Sequence, residues 1–373
     1  MKYNIDNINL KIVDFNTNSS NIINSKLFIY NRNLDIRFKI INYLGKGTIG
    51  QVYLLEPYYG LKSDDLLVVK ISNSNCQEDL EKEVNKVSKY FEEGQIDHIA
   101  YPRYYGYFDN LNAFGAIYPY LGFYNLDKIK TIKYNITWPH NISIIKQLIL
   151  QVDSFTNIIH GDLKPPNVVL DIRDSQAIAT IVDFGLIKKK TDKYGIISTN
   201  YVSSPESLLT LKEYNIFKEA YDSIDYSKHD YFGLNCICIN LFVKNSFWSV
   251  FAKYIIGVFG VSNDYLLEHK AVLLFVYAWY KFFYTSIDQL PSKSFVNLIQ
   301  YIEKTKIKPE MLNKFLSWDN FFDKYIVCEI NPTTFDYKHL ELFKDFLKKM
   351  IHFDSSKRPE LKELIKHKFL NLD

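Results

Sequence analysis

The chain has 373 residues, 47% hydrophobic, with 45 Lys and Arg against 42 Asp and Glu for a formal charge of +3. That length can bury one large core or two smaller ones, and that apolar content excludes wholesale disorder. The near balance of charge gives no reason to expect a nucleic-acid partner, and four cysteines without metal-ligand spacing to histidine read as reduced, buried thiols of an intracellular, cytoplasmic type of protein.

The opening residues Met1 to Asn9 are polar, so no signal peptide is expected. Residues 1–37 are rich in Asn and Ser and carry short apolar runs. They are either a partly ordered extension lying on the neighbouring strands or a flexible tail. Phe38 to Leu55 reads as two strands around Gly45-Lys46-Gly47-Thr48-Ile49-Gly50. A lone G-x-G-x-x-G is a weak signal that dinucleotide folds share, but there a helix comes next. Here Gln51-Val52-Tyr53-Leu54-Leu55 continues as strand. The glycines would let backbone N–H groups approach phosphates without a Cβ in the way.

Leu66 to Ile71 is the next strand and contains Lys70. Gln77 to Glu92 is charged and helix-prone, with Leu80, Val84 and Val87 on one face. Tyr101 to Leu121 gives two more strands, joined near Asp109 to Asn112. Asn141 to Thr156 carries Ile145, Leu148, Ile149 and Val152 at helical spacing, a stripe that belongs to a core.

His160-Gly161-Asp162-Leu163-Lys164-Pro165-Pro166-Asn167 comes next, with apolar Val168-Val169-Leu170 after it. Ile181-Val182 then leads into Asp183-Phe184-Gly185. An acid, a lysine, an amide and a second acid can place a hydroxyl, a triphosphate and its metal ions. Phosphoryl transfer depends on such positioning and charge neutralisation more than on a reactive nucleophile. A D-x-K-x-x-N stretch alone is common by chance; the flanking strands and the D-F-G make the combination specific. Further on, Asp230 to Asn235 opens an apolar helix, Ala271 to Phe283 is too short for the ~20 residues of a membrane span, and Arg358-Pro359 closes the pattern near the end.

This order of motifs resembles the eukaryotic-type serine/threonine protein kinases, over about Phe38 to Phe369. The resemblance implies an α+β, two-lobed fold. Residues 1–37 would be an N-terminal extension, 38–121 a small β-rich lobe with one helix and the hinge, and 122–373 a larger, mainly helical lobe. A helical insertion is expected around 245–338. ATP and Mg²⁺ would be the cofactors, and a protein carrying Ser or Thr the partner, with no membrane span.

Residue by residue, the resemblance places Gly45, Lys46, Gly47, Gly50 and Val52 over the nucleotide, and Tyr120 and Leu121 at the adenine edge. Lys70 would hold phosphates with Glu83 as its helical partner, Glu78 and Glu81 being the alternatives. Asp162 would orient the hydroxyl, Lys164 stabilise the transferring phosphoryl, and Thr199 hydrogen-bond to both. Asn167 and Asp183 would bind Mg²⁺. Asp230 would hold the catalytic-loop backbone, and Arg358 would pair with Glu206. Two other readings share these motifs: a nucleotide-binding scaffold without transfer, and a small-molecule kinase. Gly161 stands where most of the family has Arg, and Pro119 where many members have an acid. These departures, with the richness in Asn, Ile, Lys and Tyr, suggest a large DNA virus as source.

Gly161 generates an expectation about regulation. The family's arginine pairs with a phosphorylated loop residue, and a phosphate orders a loop only where a cation receives it. Glycine supplies none, although Lys188 to Lys190 form a competing receiver. Replacing Thr191, Tyr194 and Ser198 together by Ala, Phe and Ala is therefore expected to leave kcat within about threefold, whereas a ~10³-fold loss would mean a phosphate-gated loop.

Overall fold

The structure, a computed structural model, describes residues 6–7, 10–14, 27–31, 36–59, 66–94, 101–108, 113–122, 124–131, 136–173, 176–191, 204, 226–262, 270–305 and 316–372. The chain divides into two compact units: Met1–Gly122 with Val182–Gly185, and Phe123–Ile181 with Leu186–Asp373. The first is mostly strand with one helix, the second mostly helix, which is the α+β composition that the motifs imply.

The first unit holds the two-residue β1 (Asp6–Asn7) and seven strands that carry β-branched or aromatic residues: β2 (Leu10–Asp14), β3 (Leu27–Asn31), β4 (Ile36–Lys46), β5 (Gly50–Tyr59), β6 (Leu67–Ser72), β7 (Tyr104–Phe108) and β8 (Ala113–Pro119) among the described residues. Their order is β1-β7-β2-β3-β4-β5-β6-β8, and β7 also pairs with β8. The strands from β2 to β8 therefore close into a ring through β7. Closure comes from the amino-terminal segment. The β2–β3 hairpin sets Ile29 opposite Phe38 on β4, and Leu10 opposite Phe108 on β7. Within residues 1–37, the described strands pair with one another and with β4 and β7. Three register shifts along β4–β5 add twist to the longest hairpin. Phe38, Leu55, Leu67, Val69, Phe108 and Ile117 form the core of this sheet.

Helix α1 (Gln77–Glu92) carries Glu78 and Asp79 in its first turn and Lys89 in its last, both favourable to the helix dipole. Its apolar stripe, Leu80 and Val84, packs on Phe114 and Ala116 of β8. Burying side chains of this size stabilises by about 1.5–3 kcal/mol each.

In the second unit, α2 (Trp138–Ser154) starts at Thr137, whose backbone N–H donates to His140 Nδ1 at 3.2 Å. Beside it lies a small sheet of β9 (Tyr124–Asn125), β11 (Val168–Arg173) and β12 (Gln176–Ile181). The outer edge of β12 would offer unpaired backbone groups to another chain. Gln147 and Gln151, one turn apart on α2, occupy it. Their amides donate to Ala177 O at 2.8 Å and Ala179 O at 2.7 Å, and accept from Ala179 N at 2.9 Å and Ile181 N at 3.0 Å. The two-residue strands β10 (Ile158–Ile159) and β13 (Lys188–Lys189) pair, and in sequence they flank His160–Asn167 and Asp183–Gly185.

Helix α3 (His229–Phe242) is buried along its whole length. The aromatic stretch expected as an insertion is helical where described: α4 (Phe247–Phe259), α5 (Lys270–Phe283), α6 (Lys293–Thr305) and α7 (Trp318–Phe321). Ser246 caps α4 by accepting from Ser249 N, and Gly260 ends it in the left-handed conformation. Trp279 of α5 packs on Phe232 of α3 at 4.9 Å between ring centroids and donates its indole N–H to Ile351 O at 2.9 Å. Helices α8 (Leu340–Met350) and α9 (Leu361–Leu364) complete the unit. Among the described residues no helix is long and apolar enough to cross a membrane.

Removing residues 1–31 would leave one edge each of β4 and β7 unpaired. The expected outcome is a lower midpoint of thermal unfolding together with self-association through those edges, read by melting and size-exclusion chromatography. A monomer with an unchanged midpoint would contradict ring closure by the amino-terminal strands.

Candidate active site

Each unit holds one cluster of the residues singled out by sequence. In the first, Lys70 lies on β6 directly opposite Val52 of β5 and Ala116 of β8, so the three share one face of the sheet. Its ammonium contacts both carboxylate oxygens of Glu83, at 2.8 and 2.9 Å, and Asp183 Oδ1 at 3.3 Å. Glu83 is buried and Lys70 nearly so. The other acids of α1 are engaged elsewhere: Glu78 with Lys82 at 3.3 Å, and Glu81 accepting from the Tyr107 hydroxyl at 2.6 Å. Burial works against the charge on Lys70, but the carboxylates of Asp183 and Glu83 outweigh it and raise the pKa. Glu83 is raised as well, chiefly by burial, because one ammonium serves two carboxylates.

Asp183 is the one non-glycine with positive φ among the described residues, at 65°. Aspartate tolerates this region better than most residues, and the Lys70 contact holds it there. Its side chain is 47% exposed. The Glu83 carboxylate lies close to Gly185, where an added Cβ would stand 3.1 Å from Oε2.

Within the glycine loop the three glycines differ. A Cβ on Gly50 would collide with the carbonyl of Ile71, so this glycine serves the close approach of β5 to β6. Gly45 has open space around it, and Gly47 N donates to Gly50 O at 2.8 Å. Sequence reading missed Asn73, which ties the loop down: its backbone N–H donates to Ile49 O at 2.8 Å and its amide to Thr48 O at 3.2 Å. The Ser-Asn-Ser-Asn run after β6 was the available signal.

At the proposed hinge, Tyr120 N donates to Leu66 O at 3.1 Å. That N–H is taken up within the first unit, beside the ends of β6 and β8. Burial, aided by the charges of Glu83 and Asp183, pushes the Tyr118 hydroxyl well above the usual phenol range.

In the second unit, Lys164 Nζ sits 2.7 Å from Asp162 Oδ2. Asn167 donates its amide to Asp162 O at 2.9 Å, and its backbone N–H to Lys164 O at 2.9 Å. With Nδ2 spent in this way, Asn167 is left with Oδ1, a hard oxygen of the kind Mg²⁺ takes. His160 is fully buried, and its Nδ1 accepts from Asp162 N at 3.3 Å. The buried Asp230 carboxylate accepts from His160 N at 2.7 Å and Gly161 N at 3.0 Å.

Gly161 has φ 81°, and a Cβ there would stand 2.7 Å from Leu186 O. The backbone conformation thus accounts for glycine at this position, independently of regulation. Thr199 and Glu206 lie outside the described residues. Ser204 is buried, and its hydroxyl meets His229 Nδ1 at 2.9 Å. Arg358 is buried and donates to His352 O and Lys228 O, both at 3.0 Å.

The family model for the protein kinase domain matches residues 38–370. Curated relatives include serine/threonine-protein kinase D of Synechocystis, 29% identical over 45% of this chain and 34% of its own length. Calcium-dependent protein kinase 4 of Plasmodium falciparum is 29% identical over 56% of this chain and 40% of its own. Human myosin light chain kinase family member 4 is 32% identical over 39% and 37%. The matched stretch thus spans about a third to two fifths of these relatives. Among solved structures, a chain of the yeast RNA Pol II CTD kinase CTDK-1 complex aligns with a TM-score of 0.58 at 17% identity, over 89% of this chain and 93% of that one. At that identity the likeness concerns fold alone.

The Lys70 pair makes a stability prediction. Glu83→Gln leaves a nearly buried ammonium with Asp183 alone and is expected to cost about 1–3 kcal/mol in chemical denaturation, below the full penalty of an unpartnered buried charge. Glu78→Gln and Glu81→Gln should leave the midpoint close to that of the parent. If either of these matches the loss at Glu83, the pairing is wrong.

Proposed function

The chain belongs to the protein kinase family, and from that premise we propose that it transfers the γ-phosphate of ATP to serine or threonine hydroxyls of a protein substrate. The observation that carries this reading is the bonded set Asp162–Lys164–Asn167, with lysine 2.7 Å from the acid. A lysine beside that acid supports transfer, because a transferring phosphoryl needs a cation to neutralise its charge.

In this reading Asp162 orients the attacking hydroxyl and takes up its proton as the new bond forms. Lys164 stabilises charge on the transferring phosphoryl. Lys70, kept charged by Glu83 and Asp183, positions the α- and β-phosphates. Gly45, Lys46, Gly47, Gly50 and Val52 cover the nucleotide. The Leu121 N–H reads the adenine edge, and Tyr120 shapes the hinge through its bond to Leu66. Asn167 and Asp183 would hold Mg²⁺, which when bound neutralises developing charge on the phosphates. Lys164 is the serine/threonine form of this loop, which supports the acceptor class. Four free cysteines and a dependence on ATP fit the interior of the cell, the cytoplasm, as its place of action.

Asp162→Ala is expected to lower kcat by about 10²–10⁴-fold, the range of a positioned acid–base group, while leaving binding of ATP with Mg²⁺ nearly intact. Asp183→Ala should impair both, measured by initial rates and by calorimetric titration. Transfer at the parental rate by Asp162→Ala would remove the assignment.

A further inference from the structure

Lys228 was not among the residues that sequence singled out, yet the structure puts it in an unusual place. It is the residue before α3, two positions ahead of Asp230. Its side chain is only 14% exposed, although it is a lysine at a helix entrance. Its ammonium donates to the carbonyl of Arg358 at 2.6 Å, and Arg358 Nη1 returns a bond to the carbonyl of Lys228 at 3.0 Å. Each residue thus donates with its side chain to the other's backbone. The Lys228 carbonyl also accepts from Tyr231 N at 3.3 Å, in the first turn of α3. Glu360 pairs with the same ammonium at 2.7 Å and offsets the charge of two adjacent cations. The ammonium also lies over the Tyr231 ring, with Nζ 5.9 Å from its centroid.

The clasp pins the backbone at the start of α3. The first turn of that helix presents Asp230, whose two oxygens hold the N–H groups of His160 and Gly161. Asp162 is the next residue. We propose that Lys228 is a positioning residue for the catalytic loop: by fixing the helix entrance against Arg358, it fixes the carboxylate that holds the backbone leading into Asp162. The route is short, two residues of helix entrance and two hydrogen bonds from backbone N–H groups to one buried carboxylate, so a change at Lys228 arrives at Asp162 as a change of placement. Misplacement of a reacting group by an ångström costs up to about 10²-fold in rate. The kinetic consequence rests on the phosphoryl-transfer reading above; the effect on the loop backbone does not.

The test uses the full chain with Lys228→Met, which keeps the stem and removes the charge, and Lys228→Arg, which keeps a cation. Amide hydrogen exchange, resolved at His160 and Gly161, is measured beside kcat, KM for ATP and the melting midpoint. Lys228→Met is expected to speed exchange at these two amides selectively, with Leu234 to Phe242 still protected. It should lower kcat by about tenfold or more while KM for ATP stays within about twofold, and Lys228→Arg should recover most of the rate.

Unchanged exchange at His160 and Gly161 overturns the proposal, as does exchange that rises uniformly along α3, which would mark a merely structural lysine. If Lys228→Met does not fold, Glu360→Gln loosens the same ammonium from an exposed carboxylate and must give the same selective pattern at smaller amplitude. Selective exchange in a chain whose parent transfers no phosphate would uphold the positioning role and remove the proposed function.

Discussion

A single buried carboxylate organises the second unit. Asp230 is almost wholly removed from water, and its two oxygens accept from two consecutive backbone N–H groups. Hydrogen bonds to a charged group contribute about 1.5–3 kcal/mol each, and an unsatisfied buried charge costs more, so the arrangement is strongly defined. The loop from His160 to Asn167 is thereby anchored at two backbone N–H groups, and its own His160 ring and Asn167 amide add bonds to the Asp162 backbone. Lys164 meets the Asp162 carboxylate in the same loop. The neighbours of Asp230 extend the same logic. His229 meets Ser204, and Lys228 clasps Arg358. Three successive residues at one helix entrance therefore anchor three segments distant in sequence.

The first unit solves a different problem, which is to keep one ammonium charged and aimed. Lys70 sits on a strand in the middle of a ring of strands, so its backbone is fixed by pairing on both sides. Glu83 reaches it from α1, and α1 is fixed by Leu80 and Val84 against β8. Asp183 completes the contact from a left-handed backbone. Each of these placements depends on apolar surface buried elsewhere on the same element or on its strand neighbours.

Much of this was legible in the sequence because it is local. The acid–lysine–amide spacing, the lysine in an apolar strand and the helical stripe of α1 all lie within a few residues. The choice among Glu78, Glu81 and Glu83 was open at that level, since all three fall on one charged helix; the stripe of Leu80 and Val84 turns Glu83 inward, and packing decides it. Ring closure by β2 and β3 was not legible, because it pairs Leu10 with Phe108 across nearly a hundred positions and no local pattern encodes that. Gly161 was visible as a departure, but its positive φ and the approach of Leu186 were not. The commitment of the Tyr120 N–H to Leu66 was hidden for the same reason, being a contact between separate strands.

The proposed activity is delivery of phosphate to a protein hydroxyl. Incubation with ATP labelled in the γ-phosphate and Mg²⁺, offering proteins, sugars and aminoglycosides side by side, tests it most directly, with phosphoamino-acid analysis of the products. The account predicts label on serine or threonine of protein. Label on the small molecules alone, or bound nucleotide with no transfer to any acceptor, would contradict it.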